Sequence, residues 1–217
     1  MFALATLMFM AGGNLTATRR NDRFEGTLNF VVLYGSVRRE RQGIKFARFL
    51  ETQLEKRGHT SKLIDPVEYD LPLLDKMYKE YSKGAAPERL EAIAGLIRQA
   101  DGFLVVSGEY NHSIPPALTN MLDHFLEEWF WRPSAIACYS AGDFGGVRAA
   151  MQLRATLAEL GMPSISSIFP MPRVQDQFDE DGTARDPVHE RRVGRFLDEF
   201  EWYAVALKEA RAKGVPY

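Results

Sequence analysis

The sequence contains little cysteine, since Cys138 is the only one among 217 residues. A single cysteine excludes an internal disulfide and a multi-cysteine zinc site, and it fits a reducing, cytoplasmic compartment. Because Cys138 lies in an apolar run, we interpret it as a buried, inert thiol. No two histidines have a metal-binding spacing such as H-E-x-x-H, so we predict no metal site.

Positive charge is not in excess either. The chain has 27 lysines and arginines against 29 aspartates and glutamates, a formal net charge of -2 and a pI of about 6.1. A dedicated nucleic-acid-binding domain is clearly basic, so we expect no nucleic-acid partner. With 46% hydrophobic and 26% charged residues, the chain has the composition of a protein with a sizeable packed core.

Hydrophobic runs long enough to cross a bilayer are lacking as well. The first residues, "MFALATLMFMA", are apolar but too few to span a membrane, and no basic segment precedes them. We therefore expect no stable membrane insertion. Residues 1–27 are predicted to be a loosely attached extension, or sequence upstream of the true start, and residues 28–212 to be one folded domain.

From residue 29 onward, strand-like and helix-like segments alternate. Strands are predicted at "NFVVLY" (29–34), "HTSKLID" (59–65), "GFLVVS" (102–107), "SAIACYS" (134–140) and, more weakly, "SISSIF" (164–169). Apolar residues at helical spacing predict helices over 44–54, 90–97, 118–126, 147–157 and 193–207. This alternation predicts an α/β fold, with a parallel five-stranded sheet of order 2-1-3-4-5 and helices on both faces. In such a sheet, ligands bind at the carboxyl ends of the strands, so the loops after Tyr34, Ser107 and Ser140 should converge on one site.

The first of these loops, "GSVRRERQG" (35–43), is unusually positive. Gly35 allows a tight turn, Ser36 offers a hydroxyl group, and the N–H groups of the following helix attract anions. Arg38, Arg39 and Arg41 would be unfavourable at the positive end of a helix dipole unless an anion is bound there. The alternative is three solvated loop arginines, but their position beside Gly-Ser at a strand end favours a phosphate site.

Two common phosphate-binding patterns are absent from the chain. There is no G-x-x-x-x-G-K-[ST], which argues against a P-loop NTPase, and no G-x-G-x-x-G after the first strand, which argues against a Rossmann dinucleotide site. The loop therefore suits a monophosphate, such as the end of a mononucleotide.

The second loop, "SGEYNHSIPPALTNMLDHF" (107–125), resembles the signature P-E-Y-N-x-S-I-P-x-x-L-K-N-x-x-D of the NADPH-dependent FMN reductase family. It keeps Glu109, Tyr110, Asn111, Ser113, Ile114, Pro115, Leu118, Asn120 and Asp123, and it departs from the pattern at Gly108, His112 and Thr119. The first loop is similar to the family's G-S-x-R, and "YSAGDFGGVRA" (139–149) is similar to its S-x-G-x-x-G-G-x-R-A. The three matches occur in family order and spacing over roughly residues 28–210. The resemblance implies a flavodoxin-like three-layer sandwich.

The resemblance also implies bound FMN and a set of residues that hold it. The expected FMN-binding residues are Gly35, Ser36, Arg38, Arg41, Gln42, Gly43, Glu109, Tyr110, Asn111, His112, Ser113, Ser140, Gly142, Gly145 and Gly146. A flavin ring needs backbone N–H groups near N5 and O4 and a surface for stacking, which Glu109, Tyr110 and Asn111 could offer. The three glycines of the third loop would let the backbone approach the ring. The alternatives are a packing role for Tyr110 and an exposed loop position for His112.

The implied reaction takes a hydride from NADPH to N5 of FMN and then to a small-molecule acceptor, which could be free flavin, a quinone, an azo compound or a metal oxyanion. The cofactor carries this chemistry, so no catalytic side chain is predicted. Arg148 is a candidate for the NADPH phosphates, the alternative being a solvated helix residue. The resemblance further implies a homodimer or homotetramer. An interface could use some of Trp129, Phe130 and Trp131, or these could cap the domain's own core, and His124 is expected at a subunit contact.

Two other classes of function were considered. A flavodoxin-like electron carrier would bind FMN without oxidising NADPH directly, but carriers tend to be strongly acidic, unlike this chain. A response-regulator-like signalling domain would need an acidic cluster at the ends of strands 1 and 3, where the sequence has Tyr34-Gly35-Ser36 and Ser107-Gly108.

Overall fold

Five apolar segments pair into a parallel sheet in the computed structural model, which describes residues 26–217. The strands are β1 (Asn29–Tyr34), β2 (Thr60–Ile64), β3 (Gly102–Gly108), β4 (Ser134–Tyr139) and β5 (Ser164–Met171). Their order is β2-β1-β3-β4-β5, and all four neighbouring pairs run parallel. The predicted fold class and strand order are thereby confirmed. The order reverses between β1 and β3, so the ligand-binding edge predicted from sequence follows these two strands.

Helices connect the strands and cover both faces of the sheet. They are α1 (Gly43–Lys56), α2 (Pro66–Tyr69), α3 (Glu88–Gln99), α4 (Pro116–Asp123), α5 (Val147–Glu159) and α6 (Val188–Ala212), with short 3-10 helices at Tyr78–Glu80, Glu127–Trp129 and Val174–Asp176. The sequence predicted α4 to continue to Leu126, which is wrong, because the helix ends at Asp123. Phe125 is nevertheless buried, so its apolar character reflects the core and not a further helical turn.

The core has two halves, one on each side of the sheet. Along β1, Phe30, Val32 and Tyr34 face the half that α1 and α6 cover, whereas Val31 and Leu33 face the half that α3, α4 and α5 cover. This alternation is the period-two pattern of a strand buried on both faces. Each large apolar side chain that is fully buried contributes roughly 1.5–3 kcal/mol, so the two halves hold the strand ends, and with them the loops, in place.

Side chains cover the exposed edge of β5, the strand that the sequence indicated least strongly. The Glu199 carboxylate on α6 accepts hydrogen bonds from the backbone N–H of Ser166 at 2.8 Å and of Ser167 at 3.3 Å. Arg154 on α5 donates to the Ile165 carbonyl at 2.9 Å. Because these side chains occupy backbone donors and acceptors of residues 165–167, they oppose pairing of this part of β5 with another chain.

Within residues 26–217, no helix combines the length and the hydrophobicity needed to span a bilayer. The prediction for residues 1–27 falls almost entirely outside the residues that the structure describes.

Candidate functional site

The three predicted loops converge on one buried side chain, Tyr139, at the end of β4. A Cβ added to Gly43 would lie 2.1 Å from the Tyr139 ring, and one added to Gly108 would lie 3.1 Å from it. A Cβ on Gly146 would lie 2.6 Å from the Tyr139 backbone oxygen. Each loop thus contributes one glycine that packs directly on Tyr139. The departure from the family pattern at Gly108 places a small residue against this ring.

The Tyr139 hydroxyl is itself held inside the protein. It donates to the Tyr34 hydroxyl at 3.2 Å, and the two rings are stacked with centroids 6.3 Å apart. Burial raises the pKa of Tyr34 to about 12 and raises the pKa of Tyr139 well above its ordinary value. Both hydroxyls therefore stay protonated at neutral pH and act as fixed hydrogen-bonding groups beneath the loops.

The first loop leads into the start of α1, and no side chain of residues 26–217 caps the N–H groups there. Helix α1 begins after Gln42, whose side chain makes no capping hydrogen bond, and its first turn contains no acidic residue. Ser36 is 2% exposed, and a hydrogen bond of 2.9 Å joins its Oγ to the Tyr110 hydroxyl of the second loop. Arg38 is exposed to solvent beside this helix start. Such an arrangement suits a phosphate group.

Arg41 occupies a different place from the one that the sequence hypothesis gave it. Its guanidinium forms a two-pronged ion pair with the Asp65 carboxylate and donates to the Ser36 carbonyl at 3.0 Å. Asp65 is 2% exposed and also caps α2 by accepting from the Val67 N–H at 2.9 Å. Arg41 therefore links the first loop to the buried Asp65, whereas the side chains of Arg38 and Arg39 remain exposed to solvent.

The second loop is a tight turn from Tyr110 to Ser113. Asn111 and His112 have positive φ angles of 50° and 64°, and Tyr110 and Ser113 exchange two backbone hydrogen bonds of 3.0 and 2.9 Å. Gln152 on α5 fixes the turn, because its Oε1 accepts from Ser113 Oγ at 2.7 Å and its Nε2 donates to the His112 carbonyl at 2.8 Å. The N–H groups of Asn111 and His112 have no partner among the described residues, so they are available at the tip of the turn.

Glu109 fills the start of the other helix at this edge. Its carboxylate accepts from the N–H groups of Arg148 at 3.1 Å and Ala149 at 3.4 Å, and from the Arg148 guanidinium at 3.1 Å. Because this carboxylate already accepts hydrogen bonds from the N–H groups at the start of α5, the start of α1 suits a phosphate better. Arg148 is therefore not a purely solvated residue: it pairs with Glu109 and lies 4.3 Å from the centre of the Phe144 ring.

The glycines of the third loop divide into two groups. Gly145 and Gly146 have positive φ angles of 62° and 81°, and a Cβ on either would press on β5 or on Tyr139. Glycine is therefore needed at both positions for the backbone conformation and the packing of the loop itself. A Cβ on Gly142 would meet nothing within 4 Å, so Gly142 is the one that leaves open space. Ser140 donates from Oγ to the Gly142 carbonyl at 2.9 Å and holds this loop.

The connection between α2 and α3 is tied to α4 beside the site. Asn120 accepts from the Leu74 N–H at 2.9 Å and donates to the Pro72 carbonyl at 2.8 Å. His124 Nε2 lies 3.0 Å from the same carbonyl, and its side chain is 2% exposed. The expectation of a subunit contact at His124 is therefore wrong, because its side chain lies inside the protomer. Trp129 is likewise fully buried.

Several residues that shape the site were missed by sequence reasoning: Asp65, Phe144 and Gln152. Asp65 lies 24 residues from the arginine that it binds, and Gln152 lies 40 residues from the carbonyl that it holds. No local pattern marks them. Within the described part of the chain, no group of three or more His, Cys, Asp or Glu side chains could hold a metal ion.

The chain is similar in sequence to known reductases. The chain is 32% identical over 137 residues to a quinone reductase of Pseudomonas putida, covering 61% of this chain and 70% of that protein. It is 32% identical over 145 residues to the probable NADPH:quinone oxidoreductase 1 of rice, Oryza sativa, covering 64% of this chain and 73% of that protein.

Solved structures share the fold. The flavoenzyme NAD(P)H:(acceptor) oxidoreductase FerB of Paracoccus denitrificans superposes with a TM-score of 0.68 at 24% identity, over 83% of this chain and 98% of that one. A flavodoxin of Pseudomonas aeruginosa superposes with a TM-score of 0.50 at 19% identity, over 82% of this chain and 99% of that one. The sequence pattern of the NADPH-dependent FMN reductases matches residues 28–176, more than half of the chain. The chain therefore belongs to the NADPH-dependent FMN reductase family of flavodoxin-like oxidoreductases.

Proposed function

We propose that the protein binds FMN at the carboxyl ends of β1, β3 and β4, takes a hydride from NADPH and passes it to a small acceptor such as a quinone. One observation carries the proposal. The first loop, which holds Ser36, the exposed Arg38 and the uncapped start of α1, is joined to the second loop by the hydrogen bond between Ser36 and the Tyr110 hydroxyl. Relatives named quinone reductase support the choice of acceptor.

The residues present fit an FMN molecule. Its phosphate would lie at the start of α1, held by backbone N–H groups, the Ser36 hydroxyl and Arg38. Its ring would lie against the second and third loops, where the N–H groups of Asn111 and His112 are available and Gly142 leaves space. The ion pair of Arg41 with Asp65 would keep the first loop in the binding conformation before the ligand arrives.

When bound, FMN supplies the hydride chemistry. The protein's part is to position the reactants and to set the electrostatics. Tyr34 and Tyr139 keep their protons and support the loops, so neither serves as an acid or a base. Arg148, with its guanidinium over the exposed Phe144 ring, would meet the phosphates of NADPH at the mouth of the site.

A visible spectrum recorded without oxygen tests this proposal. We expect the purified protein to be yellow or to bind added FMN, to bleach when NADPH is added, and to regain colour when a quinone is added. A protein that binds FMN but stays yellow with NADPH would be an electron carrier instead. A protein that binds no FMN would have the fold without the function.

Replacing Arg38 with glutamine should weaken FMN binding about tenfold, because one charge-assisted hydrogen bond to phosphate contributes roughly 1.5–3 kcal/mol. Riboflavin, which lacks the phosphate, should bind the variant and the native protein equally. Fluorescence titration measures both affinities. Arg195→Gln, at an exposed arginine of α6, is the matched control and should change neither affinity. Equal loss of riboflavin and FMN binding would contradict the phosphate site.

The assembly and the compartment are also proposed. The family resemblance supports a homodimer or homotetramer, which light scattering would measure. A cytoplasmic location is supported by the one cysteine, Cys138, whose thiol is buried and whose pKa is raised to about 12 by burial.

A further inference from the structure

A second cleft lies at the opposite edge of the sheet from the three loops. It has a volume of about 520 Å³ and is bounded by residues 127–132, which lead into β4, and by Arg211, Val215 and Tyr217 at the end of the chain. Because β4 is six residues long, this cleft is separated from the third loop by about 20 Å. Its volume is within the range of roughly 300–1,000 Å³ that small-molecule sites occupy. The proposed flavin site does not account for it.

Three aromatic rings form one wall of this cleft. The centroids of Trp131 and Tyr217 are 4.9 Å apart, and Phe130 lies 6.1 Å from Tyr217 and 6.4 Å from Trp131, all in edge-to-face arrangements. Phe130 and Trp131 are half-buried, and Tyr217 is 83% exposed. Much of the Tyr217 ring and part of the Trp131 ring are therefore accessible to a ligand.

The backbone at Trp131 is strained. Its φ angle is 66°, a conformation that is unfavourable for a large side chain. A hydrogen bond of 3.0 Å from Arg211 to the Trp131 carbonyl holds it there. Strained residues of this kind concentrate at binding sites, where the surrounding structure maintains them.

Two arginines, Arg132 and Arg211, line the cleft. Asp101 is 5% exposed, and its carboxylate accepts hydrogen bonds from Lys208 at 2.8 Å and from Arg211 at 3.2 Å. Arg132 binds no carboxylate in the described structure, because its guanidinium donates to the backbone carbonyls of Ala100, Glu128, Phe130 and Arg98.

Neighbouring carboxylates only partly neutralise the positive charges of Arg132 and Arg211. Burial and the neighbouring Arg211 lower the pKa of Arg132 to about 10, and burial lowers the pKa of Arg211. The described hydrogen bonds use two of the five N–H groups of Arg211. Glu127 adds a carboxylate at the exposed rim. A bound anion could accept hydrogen bonds from the N–H groups of Arg211 that those hydrogen bonds do not use.

We propose that this cleft binds a small planar aromatic molecule with one anionic group, stacked on Trp131 and Tyr217 and paired with Arg211. An aromatic carboxylate and a nucleoside monophosphate both have this chemistry. The inference does not depend on the proposed function, because the cleft shares no residue with the flavin loops.

Calorimetric titration with two probes, 2-naphthoate and AMP, distinguishes the two sources. We expect at least one probe to bind with the same affinity whether or not the protein is saturated with FMN. Tyr217→Ala should weaken binding about fivefold and Arg211→Gln at least tenfold. Cyclohexanecarboxylate, which has the charge without the aromatic ring, should bind more weakly than 2-naphthoate.

Trp202→Ala is the matched control, since this tryptophan is 66% exposed on α6 and does not line the cleft. It should leave the affinity unchanged. Loss of binding on saturation with FMN would place the probe in the flavin site and overturn the proposal. So would the absence of binding by either probe at millimolar concentration, or equal binding by the native protein and both cleft variants. Because Tyr217 is exposed, its replacement tests the cleft even if Arg211→Gln fails to fold.

Discussion

Gly43→Ala is expected to destabilise the protein and to abolish most FMN binding. The new methyl group would lie 2.1 Å from Cζ of Tyr139, a ring held by its hydrogen bond to Tyr34 and by close contact with Gly108. The ring has no free space to move into, so α1 must shift away from the sheet. Overpacking of this kind costs roughly 1–3 kcal/mol, and the displaced helix start should weaken FMN binding at least tenfold. Urea denaturation and FMN titration measure the two effects.

Gly142→Ala is the matched control for stability. A Cβ at this position meets nothing within 4 Å, so the free energy of unfolding should change by less than about 0.5 kcal/mol. If Gly142 faces the flavin, this variant should still lose some FMN affinity while it keeps its stability. Equal denaturation midpoints for the Gly43→Ala variant and the native protein would show that Tyr139 does not lie where the three loops meet.

Asp65→Ala should have the larger effect on stability. It leaves the Arg41 guanidinium, whose side chain is 16% exposed, without its carboxylate, and it removes the N-terminal cap of α2. Removing one partner of a buried ion pair costs about 3–5 kcal/mol, because the other charge stays desolvated. We expect urea denaturation of the flavin-free protein to show this loss, together with weaker FMN binding from the released first loop.

The adjacent pair of Asp70 and Arg89 provides the control. Both side chains are exposed, at 90% and 46%, and Asp70 has a φ angle of 44° that asparagine also tolerates, so Asp70→Asn should cost no more than about 0.5 kcal/mol. The double variant Asp65→Asn with Arg41→Gln removes both charges and should be more stable than Asp65→Ala alone. If Asp65→Ala and Asp70→Asn unfold at the same urea concentration, the proposal that the Arg41–Asp65 pair stabilises the first loop is wrong.

The starts of α1 and α5, which lie at the same edge of the sheet, differ in how their N–H groups are satisfied. The Glu109 carboxylate caps α5. Helix α1 has no capping side chain among the described residues, and the exposed Arg38 and Arg39 precede it. An anionic ligand is therefore directed to α1. The same carboxylate pairs with Arg148, which holds this cation at the mouth of the site.

Much of the fold followed from local sequence patterns. The β-branched and aromatic runs placed all five strands, because a strand buried on both faces must be apolar throughout. Glycines and a serine at the ends of β1 and β4 marked the loops, and the motif from Glu109 to Asp123 identified the family. The end of α4 was misplaced, because Phe125 and Leu126 continue the apolar spacing after the helical hydrogen bonds stop.

The detailed contacts of the site were decided by the tertiary structure. The sequence predicted that Arg41 binds phosphate, but the fold brings Asp65 to it from the end of β2, and a buried carboxylate is a strong partner for a guanidinium. The sequence suggested that the backbone of Glu109 offers donors to a ligand, and it did not show that the Glu109 carboxylate caps α5. It could not show that the glycines pack around Tyr139. Strands and turns depend on neighbouring residues and can be recognised in the chain, whereas the partner of a charged or small residue depends on which distant segments the fold brings together.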